Sequence, residues 1–84
     1  MNKTIKLRIR KDIDNQNEQK VRKFKGTLIT KGFTEIIHIS DEDEEFYLNF
    51  FSVLSENKKQ IEDYVIDYIS TNNLNETISI ISNQ

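Results

Sequence analysis

An α+β fold is what this sequence predicts: a small antiparallel sheet of four to five strands, in the order β-β-β-β-α-β, with one helix packed on one face. Three observations predict it. Residues 4–10 alternate strictly between apolar and basic. Residues 56–71 carry an apolar stripe at helical spacing. Between them lie further short runs rich in β-branched and aromatic residues, separated by polar turns.

The first strand is the plainest. Ile5, Leu7 and Ile9 point one way, while Lys6, Arg8 and Arg10 point the other, the period of a half-buried strand. Asp12 to Gln19 is polar, Asn-rich and without periodicity, and reads as a loop. Residues 21–31 read as a second strand, with Phe24, Gly26 and Leu28 on one face and Lys23, Lys25, Thr27, Ile29 and Lys31 on the other. Gly26 inside that run implies a bulge or a close approach. Lys31-Gly32 is a turn signal, and Phe33 to Ser40 follows as a third strand. Phe33, Ile37 and Ile39 are expected on its core side, with Ile36 and His38 outward.

Residues 41–54 admit two readings. Ser40 followed by Asp41, Glu42 and Asp43 resembles a helix cap with an acidic first turn, which makes Phe46, Phe50, Val53 and Leu54 a helical stripe. Alternatively, residues 40–45 form a hairpin loop and Phe46 to Leu54 a strand, with Phe46, Leu48, Phe50 and Leu54 inward and Tyr47, Asn49, Phe51 and Val53 outward. The aromatic and branched content favours the strand. A helix over 56–71 then starts after Ser55 as N-cap and buries Ile61, Tyr64, Val65, Tyr68 and Ile69. Thr71-Asn72-Asn73 ends it, and Thr77 to Ser82 forms a final strand with Ile78 and Ile80 on one face.

With 84 residues the chain forms a single compact domain, 1–84; a second core has no room. A domain this size buries only roughly 60–65% of its unfolded surface, so stability is modest and self-association is one route to more of it. There is no cysteine, which excludes disulfides and thiolate metal sites, and one histidine, which excludes a multi-histidine metal site within one chain. No cofactor is implied. No run approaches the ~20 apolar residues of a membrane span or the length of a signal peptide, so the expected setting is the cytoplasm, without membrane association. The skew toward Ile, Asn, Lys and Glu, with Ala, Pro, Cys and Trp absent, matches AT-rich coding and hence low-GC bacteria, their phages and mobile elements.

The net charge of −2 conceals a division: residues 1–33 sum to +7 and residues 34–84 to −9. Such asymmetry sets the field a partner meets. In the expected fold Lys6, Arg8, Arg10, Lys23, Lys25 and Lys31 share the outer face of the first strand pair, with Tyr47, Phe51 and His38 able to join them. Cations with rings on a sheet suit single-stranded nucleic acid, although a pI near 5.3 is low for such domains. Outward strand positions are also ordinarily polar, and edge lysines oppose aggregation.

The run Asp41, Glu42, Asp43, Glu44, Glu45 has the charge to hold a hard cation, but lacks the glycine of the helix-loop-helix calcium motif. It reads better as a solvated turn, an acidic helix start, or a docking surface for a basic partner. His38 has no motif partner, and no serine sits in a nucleophile-elbow setting. With only Gly26 and Gly32, no phosphate-cradling loop exists. Phe24, Phe33, Phe46, Phe50, Tyr64 and Tyr68 are assigned to the core, which leaves Tyr47 and Phe51 as surplus rings for a partner.

These features predict a non-enzymatic protein-interaction module: a small regulator or inhibitor docking on a larger protein through charged surfaces. A homodimer, basic face to acidic face, is compatible with the same charge split. The alternative is a single-stranded nucleic-acid-binding protein using the basic sheet face.

Overall fold

The computed structural model describes residues 1–81, and its first strand forms where the alternation places it. β1 spans Asn2–Arg10, with Ile5, Leu7 and Ile9 buried. The chain then departs from expectation. Residues 15–30 are a helix, α1 (Asn15–Thr30), and not a loop followed by a strand. The polar stretch before it is a helix start: Asp14 Oδ1 accepts a hydrogen bond from the Asn17 backbone N–H at 2.8 Å, which satisfies one of the free donors of the first turn. Val21, Phe24 and Leu28 are the buried residues. Phe24 and Leu28 are four apart and so fit period two as well as one face of a helix. Val21 decides the matter, lying three before Phe24 on the helical face. Gly26 is exposed with open space around it, so it marks no bulge.

Gly32 closes α1. At φ 80° it occupies the left-handed position of a Schellman motif: its N–H donates to Ile29 O and the Phe33 N–H to Leu28 O, both at 3.0 Å. The expected strand over Phe33 to Ser40 shrinks to β2, His38–Asp41, all of whose residues are exposed. Phe33 and Ile37 still pack on the core from the irregular stretch before it, while Ile39 is exposed.

Residues 46–54 form a strand, β3 (Phe46–Leu54), reached through a turn held by Asp43. Its Oδ1 accepts from the Glu45 and Phe46 N–H groups at 2.8 and 2.9 Å. The faces of β3 are the reverse of those expected. Asn49, Phe51 and Val53 are buried, and Phe46, Leu48, Phe50 and Leu54 lie on the other side. A single-turn 3-10 helix (Ser55–Asn57) precedes α2 (Lys58–Thr71). Ser55 therefore opens that turn and does not cap α2; Asn57 holds the cap position, without a side-chain bond. Ile61, Val65 and Ile69 are buried as the spacing requires, with Tyr64 and Tyr68 packed at the core margin. Asn73, at φ 57°, ends α2 in a second Schellman-type turn: the Leu74 N–H donates to Ile69 O at 2.8 Å. β4 spans Ile78–Ile81, with Ile78 buried and Ile80 half-buried; the expected strand end at Ser82 lies outside the described residues.

The four strands form one antiparallel sheet in the order β2-β3-β1-β4. The α+β class holds, with a second helix where a strand was expected. The β-α-β-β-α-β succession with this strand order is the split β-α-β, or ferredoxin-like, arrangement, a frame that hosts many unrelated functions. One core joins Ile5, Leu7, Ile9, Phe51 and Ile78 of the sheet to Phe24, Leu28 and Val65 of the helices. The Phe24 and Tyr68 rings, 5.1 Å apart, tie α1 to α2. No helix among the described residues is long and apolar enough to cross a membrane.

Asn49 is the exception within this core. It is 1% exposed, and among the described residues neither its Oδ1 nor its Nδ2 finds a hydrogen-bond partner. Burying an unpaired amide costs about 1–3 kcal/mol. Asn49→Leu, close in shape and without that penalty, is expected to stabilise the fold by about this amount, seen as a higher urea midpoint at unchanged slope; an unchanged or lower midpoint contradicts it. Asp14→Ala is expected to cost about 1 kcal/mol in the same measurement through the lost helix cap.

Candidate functional site

Both helices lie on one side of the sheet, so the other side is uncovered. Its composition follows from the pairing of β1 with β3. Lys6 stands opposite Phe50, Arg8 opposite Leu48 and Arg10 opposite Phe46. In an antiparallel pair, directly opposed residues project to the same face. A stripe of three cations on β1 therefore runs beside an apolar stripe on β3. β2 adds His38, opposite Phe50, and their rings stack at 5.2 Å with 21° between planes. β4 adds Ile81, opposite Lys6.

The cations are held against the rings and the neighbouring loops. The Arg8 and Arg10 guanidinium carbons lie 5.5 and 5.4 Å from the centre of the Phe46 ring, within cation–π range. Arg8 also forms a fork-on-fork pair with Glu42, Nε to Oε1 at 2.6 Å and Nη2 to Oε2 at 2.9 Å, the geometry that suits guanidinium to carboxylate. That hydrogen bond, more than the bare charge, holds the Glu42 carboxyl below its ordinary value and raises Arg8 further. Arg10 Nε donates to the Glu76 carbonyl at 2.9 Å. Lys6, half-buried, forms no side-chain hydrogen bond or ion pair among the described residues.

The expected six-cation face does not form. Lys23, Lys25 and Lys31 belong to α1 or its C-terminal end, in the layer on the far side of the sheet, because residues 21–31 are not the second strand. Lys25 is half-buried there, and desolvation pushes its amine below the ordinary lysine value. The Lys31 Nζ sits 5.3 Å from the Tyr64 ring centre. Phe51, expected outward, is 1% exposed and belongs to the core. Tyr47, opposite Ile9, projects to the helix side of the sheet but lies at its exposed end, with Lys11 Nζ 5.0 Å from its ring.

The acidic run lies at the end of β2 and in the turn to β3, with Glu42 reaching the open face and Asp41, opposite Tyr47, on the helix side. Asp41 pairs with Lys11 at 3.0 Å, Glu42 with Arg8, and Asp43 supports the turn itself. Glu44 and Glu45 are exposed. Among the described residues no group of three or more His, Asp or Glu is placed to hold a metal ion.

The residues that sequence reasoning assigned to the core, and which instead form the site, are Phe46 and Phe50, with Leu48 between them. A signal existed. Seven of the nine positions of β3 are apolar or aromatic, more than a strand with one buried face requires. No family model matches the chain, and neither the curated proteins nor the solved structures provide a match.

The Arg8–Glu42 pair makes a pH prediction. Because the folded Glu42 value is depressed, the contribution of the pair is present above the ordinary carboxylate range. It is lost as pH falls through the lowered folded value. NMR titration of the Glu42 carboxyl is expected to give a midpoint below 4.5, moving up toward that value in Arg8→Gln; an unchanged midpoint in that variant contradicts the pairing.

Proposed function

We propose that the protein is a non-catalytic interaction module, a small regulator or inhibitor that docks on a larger protein through the open face of its sheet. One observation carries this reading. β3 sets Phe46, Leu48, Phe50 and Leu54 in a row on the uncovered side, beside Lys6, Arg8 and Arg10 of β1. Aromatic rings and arginines around an apolar strip, with charge at the rim, are the composition enriched at protein interfaces. The face extends about 30 Å along β1 and about 15 Å across the strands, the scale of one side of a modest interface. The acidic turn at one end and Lys6 on the face give the surface two poles, which orient a partner. The cysteine-free composition supports work in a reducing compartment such as the cytoplasm, and the codon-related skew supports a phage or mobile-element setting.

A second reading is favoured by the same rings. Phe46 and Phe50 on a central strand, with Lys6 and Arg10 alongside, suit stacking of unpaired bases and contact with their phosphates. It is the weaker reading. Three of the six expected cations lie in the helix layer, and Glu42 neutralises Arg8 at the face. Binding by the three β1 cations alone predicts a slope of log K against log salt of only about −2, measurable by anisotropy of a labelled oligonucleotide.

Phe50→Asp tests the docking reading. The variant is expected to keep its circular dichroism spectrum. It is expected to lose a partner that co-purifies with the wild type, with affinity weakened by about 30-fold or more. Lys23→Glu on the helix layer is expected to leave capture unchanged. A partner retained by Phe50→Asp and lost by Lys23→Glu contradicts the reading.

A further inference from the structure

The two edges of β3 differ. β1 pairs it along its whole length, from Phe46 to Leu54, whereas β2 pairs it only from Tyr47 to Phe50. Among the described residues no backbone hydrogen bond joins Phe51–Leu54 to the Phe33–Ile37 stretch that precedes β2. The chain instead peels away from the strand and leaves a cleft of about 860 Å3, with Phe33, Glu35 and Ile36 on one wall, Val53 and Leu54 on the other, and Ile61 of α2 adjoining.

The register explains why the chain does not close this cleft itself. Continuing the pairing of His38 with Phe50 backwards sets Ile37 opposite Phe51, Ile36 opposite Ser52 and Glu35 opposite Val53. Val53 is 5% exposed and belongs to the core. Extending β2 therefore turns the Glu35 carboxylate onto the apolar side of the sheet, where an unpaired charge is strongly disfavoured. A strand with an apolar residue at that position meets no such penalty.

We propose that this cleft binds an extended segment of a partner polypeptide as an added strand on β3, independently of the open sheet face. The backbone groups of Ser52 and Leu54, which alternate with the Phe51 and Val53 groups bonded to β1, supply the hydrogen bonds, as in other strand-addition complexes. Four extended residues span about 13 Å, the length of the unpaired edge. The bound segment carries an apolar side chain opposite Val53. Glu35, the one carboxylate on the lining among the described residues, favours a lysine or arginine beside it.

The test is an NMR titration of the full 15N-labelled chain with acetyl-Lys-Val-Thr-Val-Lys-amide at millimolar concentration. Amide shifts are expected at residues 52–54 and 34–36. A peptide N-methylated at alternate amides is expected to bind about tenfold more weakly or worse, through the lost backbone hydrogen bonds. In Glu35→Val the chain's own segment is expected to pair with β3, so that residues 35–37 gain amide-exchange protection and the peptide shifts disappear. Absence of shifts in the wild type, or equal shifts with the methylated peptide, overturns the strand addition. Shifts confined to the sheet face around Phe50 also overturn it, while leaving the docking reading intact.

Discussion

The antiparallel pairing of β1 with β3 governs everything else in this molecule. Once Ile5 stands opposite Phe51 and Leu7 opposite Asn49, the two-residue period of both strands sends Ile5, Leu7, Ile9, Phe51 and Val53 to one side. That side becomes the floor on which α1 and α2 pack. The same pairing sends Lys6, Arg8, Arg10, Phe46, Leu48 and Phe50 to the other side, where nothing in the described fold covers them. A shift of one residue on β3 alone would exchange a core of branched and aromatic groups for a solvent-facing one. Core and candidate surface are thus two consequences of one register.

Asn49 shows how firmly that register is set. It lies in the middle of β3, flanked across the sheet by Leu7 and Ile39, and it is buried without a partner among the described residues. The amide is buried because it shares one face of β3 with Phe51 and Val53, two and four positions on, and the pairing with β1 turns that whole face inward. The Glu35 carboxylate acts the other way at the neighbouring edge. There β2 stops at His38, short of the register that would set Glu35 opposite the buried Val53.

The local signals divide sharply in how well they specify structure. β1 was legible because its outward positions are basic and its inward positions aliphatic, so face and period agree. α2 was legible because five apolar residues follow one helical stripe. α1 was not, because Phe24 and Leu28 satisfy both periods and the Asn-rich segment before them resembles a loop until Asp14 is seen as a cap. β3 was recognised as a strand, but its orientation was not, since apolar residues occupy both its faces. The consequences for the site follow directly. Lys6, Arg8 and Arg10 lie on the open face, as the alternation of β1 requires. Lys23, Lys25 and Lys31 belong to the helix layer, and Phe51 takes the core position that the sequence pattern assigns to Phe46 and Phe50.

By itself, then, the sequence determined the α+β class, the basic outer stripe of β1 and a helix within residues 56–71, each encoded by residues adjacent in the chain. Only the tertiary structure decided which face of β3 is buried, that residues 15–30 form a second helix on that same face, and that an unpaired edge lies beside Val53. The physical reason is common to all three. A segment with apolar residues on both faces, or with a stripe that fits two periods, has near-equal local preferences. The choice then falls to the partner strand and to the area buried against it.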